Sequence, residues 1–314
     1  MGKASTTASK NAQTLTPPIP DKPKRKRRWG DRYDGYRVRE LDGLFYLIPS
    51  IMRERHDSQV LFEEDIPIEN LEKYVHRKRK EGCNIRTLHV FLAAMVRVMA
   101  MYPRINRFVS GKKIYAHKDI RISMAIKRNM SIDGEETNIM PVFPAGCTLD
   151  NVSDIFETEL FNSRGHGNEE DTNATDGVVK VLKVLPTWFI SFFVWLMKKL
   201  DNHGKMPKVI NKASPFHSGA FVTDLGSIGI DSIFHHLYDF GTCSIFLAIG
   251  KKQTKLALDK NGEPYTQKFI SCKFVLDERI CDGYYYANVI KVFRRFIKHP
   301  ELLELPLTDI PEEI

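Results

Sequence analysis

The chain has 314 residues, of which 42% are hydrophobic, 11% aromatic and 27% charged, with a formal net charge of +8. That composition supplies a sizeable core and excludes both a wholly disordered chain and a small disulfide-stapled scaffold. Eleven Lys or Arg against four Asp or Glu fall within residues 1–40, so the rest is close to neutral, and a basic nucleic-acid groove across the domain is excluded.

Residues 1–35 read as a disordered basic tail, too polar to bury itself, containing the run Lys22 to Arg28. Met1 to Thr6 fits a minimal myristoylation pattern and the basic run a nuclear-import patch, although a solvated tail accounts for both. Residues 36–314 read as one domain. Within it Gln59–Ile66 reads as a strand and Pro67–Gly82 as a short charged helix. Arg86–Tyr102 is apolar on nearly every face, with Arg97 the only charge inside it, and belongs in a core. Strands are expected at Ile120–Ile126 and Asn138–Phe143 and a helix at Asn151–Phe161, followed by a polar loop, Ser163–Asp176.

The segment Val184–Met197 is 14 residues without a charge. A spanning helix needs about 20, so a buried or interfacial helix is expected. Loop and helix together form an apparent insertion over about 162–205. Further on, Gly219–Leu225, Ser244–Gly250 and Phe269–Glu278 read as strands. In the last of these Ile270, Cys272, Phe274, Leu276 and Glu278 share one face by period two. Tyr284–Lys298 reads as an amphipathic closing helix. This mixture predicts an α/β or α+β domain built on a sheet.

Five cysteines, Cys83, Cys147, Cys243, Cys272 and Cys281, are odd in number and form no CxxC pair. They read as reduced core residues of a cytoplasmic protein. No metal is expected, because no HExxH or paired-ligand spacing occurs, and neither a Walker lysine motif nor GxGxxG is present.

The segment Phe274 to Tyr284, with Asp277, Glu278, Arg279, Asp282 and Gly283, resembles the Asp-His-Arg-Val-x-Asp-Gly signature of the 2-oxo acid dehydrogenase acyltransferases and chloramphenicol acetyltransferase. Glu278 stands where that family keeps its catalytic histidine. Phe221 to Gly226 resembles the family's Thr-Ile-Ser-Asn-Leu-Gly strand, with Asp224 in place of the asparagine. Pro103 to Asn106, His117 to Ile120 and Asn138 to Val142 match further segments in the family's order. The resemblance covers most of residues 45–303. It implies a chloramphenicol acetyltransferase-like sandwich, a mixed β-sheet packed with helices, assembled as a homotrimer with active sites between subunits. It further implies coenzyme A, as acyl-CoA, or a carrier thioester as acyl donor. Thr223 is implied as the oxyanion donor, and Asp282 as partner of an arginine that holds the loop. As a plain helix N-cap, Asp282 needs no catalytic role.

Three departures stand out. No lipoyl or peripheral-subunit-binding domain is evident, the span from Pro141 to Phe221 is long for the family, and the histidine is missing. A free glutamate, with a pKa of about 4.3, is a weak base toward a thiol near 8.5. At the end of an apolar strand face it would be desolvated and its pKa raised. His217 and His236, with His235 beside it, are the alternative bases. Two functions follow as expectations: a stand-alone acyltransferase, or a catalytically silent trimeric scaffold of the same fold. The segment Val184–Met197 would line an acyl pocket or rest on a membrane surface.

Overall fold

The computed structural model describes residues 18–23, 25–127, 136–163 and 186–311. In chain order the elements are β1 (Gly35–Arg37), α1 (Gly43–Ile51), β2 (Gln59–Pro67), α2 (Glu69–Lys80) and α3 (Thr87–Met101). There follow β3 (Arg107–Ser110), β4 (Lys113–His117), β5 (Ile120–Lys127), β6 (Glu136–Ile139), β7 (Val142–Phe143) and α4 (Leu149–Phe161). The second half holds α5 (Thr187–Asn202), α6 (Lys208–Ala213), β8 (Ala220–Asp224), β9 (Ile245–Leu258), β10 (Pro264–Asp277) and α7 (Gly283–Lys298).

The main sheet has the order β2-β10-β9-β8-β5-β6, with β7 paired to β5. Strand β8 runs parallel to both β5 and β9, and the other pairings are antiparallel. A smaller antiparallel sheet, β1-β4-β3, lies beside it. This is the mixed sheet packed with helices that the sequence implies.

The core gathers around α3, whose residues from His89 to Ala100 are all buried. Arg97 survives there because its Nη2 donates to the carbonyls of Cys147 (3.1 Å) and Leu305 (2.6 Å). A buried guanidinium needs such acceptors. Period two holds on β10, where Ile270, Cys272, Phe274 and Leu276 are buried. On α7 the buried Tyr286, Val289, Ile290, Phe293 and Ile297 form the core face. Cys147, Cys243, Cys272 and Cys281 are free and buried, and Cys83 is half-buried.

Four expectations change. The fold begins before residue 36: Asp31 and Arg32 are buried, and Arg32 bonds Asp34, Ser110 and Asp201. Part of the basic run is thereby engaged, since Arg27 donates to the Asp31 carbonyl and Arg25 packs over Tyr36. The expected strand Asn138–Phe143 divides into β6 and β7, because Pro141 has no N–H for a ladder. The apolar helix exists as α5, yet of its side chains only Met197 and Asp201 are buried. Of the buried or interfacial helix expected, burial is not supplied by the described residues. The polar loop expected at Ser163–Asp176 falls almost entirely outside the described residues.

Candidate active site

β10 ends at Asp277, and the turn that follows carries the motif. Asp277 and Arg279 are both fully buried and pair through two bonds, Nε–Oδ1 at 2.9 Å and Nη2–Oδ2 at 2.8 Å. Ser58 Oγ donates to the same carboxylate at 3.0 Å, and Arg55 Nε lies 3.9 Å from it. Arg279 also reaches the Arg53 carbonyl at 3.0 Å, tying the turn to the segment after α1.

The expected arginine partnership of Asp282 therefore belongs to Asp277. The exposed Asp282 caps α7 by accepting from the Tyr285 amide at 2.8 Å. Only the capping role expected of it is seen in this chain.

Glu278 lies one residue beyond the strand, so it leaves the apolar face on which period two had placed it. Its side chain is exposed and its amide donates to the Ser58 carbonyl at 2.9 Å. The burial expected of this side chain is thus not provided by the described residues. Gly283, five residues on at the start of α7, has open space where a Cβ would stand and needs no left-handed backbone. Nothing among the described residues demands a glycine there.

Thr223, half-buried near the end of β8, pairs with Ala248 of β9, which pairs with Lys273 of β10. Five residues of extended chain separate Lys273 from Glu278, so Thr223 and Glu278 lie roughly 17 Å apart along the strands. The two do not meet in one chain. Asp224 is half-buried and accepts from the Ser227 amide at 3.2 Å. Burial raises its pKa. The glycine two residues on is required by close approach, since a Cβ at Gly226 would stand 2.7 Å from the Gly250 carbonyl.

The candidate histidines divide. His217 is buried, 2.8 Å from Ser214 Oγ through Nδ1 and 3.4 Å from Asp201 through Nε2. Burial pushes Asp201 up, but the bonds from His217 and Arg32 outweigh it and hold the carboxyl at about 2. This cluster pins the end of α5 to the body, and its Asp201 also lines the cleft at that end. His235 is half-buried, stacked on Phe246 at 4.2 Å and on the exposed His236 at 4.7 Å.

Between the turn and the end of α5 lies a cleft of about 380 Å³. Arg53, Lys112, Lys198 and Lys199 line it with exposed side chains that have no carboxylate partner among the described residues. Arg55 and Arg279 form its floor, and Asp201, Asp239 and Glu54 are its acids. Cations therefore dominate. Sequence reading missed this cleft, because its residues come from five separate segments; Lys198-Lys199 was visible only as the flank of an apolar run. No three His, Cys, Asp or Glu side chains among the described residues form a metal-binding group.

No protein-family model matches the sequence, and no curated protein matches it. Among solved structures, a protein described as a probable dihydrolipoamide acetyltransferase, from Listeria monocytogenes, aligns with 87% of this chain and 97% of its own. The identity is 12% and the TM-score 0.54. The cubic core of a pyruvate dehydrogenase multienzyme complex aligns with 92% of this chain and all of its own, at 15% identity and a TM-score of 0.49. Chloramphenicol acetyltransferase aligns with 83% of this chain and 99% of its own, at 10% identity and a TM-score of 0.47. The first of these fixes the class by shape: the chain has the fold of a dihydrolipoamide acetyltransferase catalytic domain. Within that fold the particular feature of this chain is Glu278 on an exposed turn beside a cationic cleft.

Proposed function

We propose that the protein is an acyltransferase that moves an acyl group from coenzyme A, or from a carrier thioester, to a hydroxyl or thiol acceptor. The observation that carries this reading is the cationic cleft beside the Glu278 turn. Four cations around one opening, none with a carboxylate partner among the described residues, suit the phosphates of a nucleotide-bearing thioester. The apolar length of α5 runs away from the same opening. A donor with its phosphates on Lys112, Lys198 and Lys199 would have aromatic side chains available to an extended acyl chain. That arrangement favours lipid-like acyl groups over acetyl.

The separation of Thr223 from Glu278 supports a homotrimer, in which the hydroxyl of one copy approaches the turn of the next. The exposed apolar side chains of α1, Leu44, Tyr46, Leu47 and Ile51, give such an assembly surface to bury. No helix among the described residues is long and apolar enough to cross a membrane.

One observation favours a second reading, a silent trimeric scaffold: Glu278, which stands where the family keeps its catalytic histidine, is exposed on its turn. Free-thiol release from a series of short- and long-chain acyl-CoAs, with candidate alcohols and thiols as acceptors, separates the two. Acceptor-dependent release that falls in Lys198→Glu/Lys199→Glu is the expected result. Trimers that release no thiol from acyl-CoA or acyl-carrier donors would establish the scaffold.

A further inference from the structure

The exposed setting of Glu278 leaves the reaction without an evident base, and a second group stands close by. A single turn, His56 to Ser58, leads into β2. Its last residue is the one whose carbonyl receives the Glu278 amide. His56 Nδ1 lies 2.8 Å from Asp239 Oδ2. Asp239 Oδ1 in turn accepts from the amides of Arg55 at 2.9 Å and His56 at 3.3 Å. Three N–H groups thus fix this carboxylate, and it fixes the ring. Asp239 lies where the cationic cleft meets a shallower one of about 390 Å³ that also contains His56, Lys198 and His236.

We propose that His56, oriented by Asp239, is the proton-transfer group of this site, supplying from a neighbouring turn the imidazole that position 278 lacks. The inference rests on the acyl-transfer reading. The arrangement is that of a histidine–carboxylate pair in which the carboxylate holds one ring nitrogen protonated and leaves the other free to act. Nε2 takes the proton as the acceptor oxygen or sulfur attacks the thioester carbonyl. The new acyl bond forms, the carbon–sulfur bond to the donor breaks, and Nε2–H returns the proton to the departing thiolate. No other reactant is consumed. His56 is the catalytic residue and Asp239 a positioning residue.

The charged groups facing the ring are Asp239, Asp57, Glu54, Lys198 and the backbone-bound Arg55. His236 shares the same shallow cleft. The hydrogen bond to Asp239 and the charges of Asp239 and Asp57 raise the His56 pKa. Asp57 Oδ1 lies 3.2 Å from Nε2, between groups that are both at least half exposed. That contact is weak and labile in water, so it yields to a substrate. An imidazole of raised pKa is a stronger base once deprotonated, and its titration sets the acid limb of the rate profile.

The test is the pH dependence of kcat and KM for thiol release by the full chain, using the acyl-CoA and acceptor that serve it best. His56→Gln is expected to lower kcat by about 10²–10⁴ with KM little changed, and to abolish the acid limb. Asp239→Asn is expected to keep part of the rate and move that limb to lower pH. Asp57→Asn should leave most of the rate. Because the ring is exposed, thermal melting of His56→Gln should match the parent. A parent that releases thiol while His56→Gln keeps its rate and its limb overturns the dyad and leaves acyl transfer standing. A parent that releases none, from any donor, overturns both.

Discussion

Asp277 and Arg279 are two residues apart, fully buried, and joined by two hydrogen bonds of 2.9 and 2.8 Å. The Arg279 amide also donates to Asp277 Oδ1 at 3.0 Å. The pair folds the chain back immediately after β10, so Glu278, caught between its members, is turned outward. The sequence therefore makes a rigid pedestal of two motif residues and presents the third to whatever occupies the adjacent surface.

Breaking that pedestal from one side leaves a buried charge without its partner. Arg279→Met or Asp277→Asn is expected to destabilise the fold by about 3–5 kcal/mol. Urea unfolding reads this as a lower midpoint with an unchanged slope. The double replacement Asp277→Asn/Arg279→Met should recover part of the loss, because no lone charge then remains. Equal stability of parent and Arg279→Met would show that the pair does not hold the turn.

A second expectation concerns acid. His117 is buried, against Phe108 at 4.5 Å and with Nε2 3.3 Å from the Thr242 carbonyl. Burial lowers its pKa to about 4, against the pull of Asp119 and Asp34. The folded ring stays neutral while the unfolded chain gains a proton below about 6.5. Stability present above that pH is therefore lost as pH falls, until the folded ring also titrates near 4. The loss assignable to this group is roughly 3 kcal/mol. His117→Gln can still donate to Thr242, and its melting temperature should fall less than the parent's between pH 6.5 and 4. Parallel curves would exclude His117 as the titrating group.

Much of this fold can be read in the sequence because local pattern and tertiary demand agree. The unbroken apolar run of α3, period two on β10 and the amphipathic α7 each place their side chains where pattern alone puts them. The departures arise where distant residues decide. Arg32 and Asp31 look like tail chemistry until Asp201, 169 residues on, and the Arg28 and Arg37 amides supply partners. Glu278 fits the periodicity of β10, but the strand stops one residue short of it. The Arg279–Asp277 pairing, invisible to periodicity, sets that end. His56 and Asp239 carry no sequence signal together, since 183 positions separate them.

Gly283 yields a prediction in which stability and activity diverge. A methyl there meets no atom of the described residues within 4 Å, and the residue opens α7 with ordinary backbone. Gly283→Ala should leave stability unchanged or raise it by about 0.4–1 kcal/mol, through the unfolded chain. If the open space is where substrate or a neighbouring copy approaches, thiol release should drop while the melting temperature holds. Retained activity would show that the space is plain solvent.

The apolar side chains of α5 decide what kind of acyl group, if any, the protein handles. Trp188, Phe192 and Trp195 are 71%, 51% and 54% exposed, with Phe189, Phe193 and Val194 also uncovered. Each such side chain gains about 1.5–3 kcal/mol on full burial, so a cover for this surface is strongly favoured. If the cover is the acyl chain of the donor, each added methylene contributes about 0.8 kcal/mol, and kcat/KM should climb roughly fourfold per carbon. Trp188→Ser/Phe192→Ser/Trp195→Ser should flatten that series, raising KM for long donors and leaving short ones nearly unchanged. If the cover is a second copy, the series is flat in the parent and the triple variant changes the mass seen by light scattering. Chain-length dependence and mass therefore separate a substrate-binding helix from an assembly helix, and Lys198 and Lys199 at its foot favour the substrate.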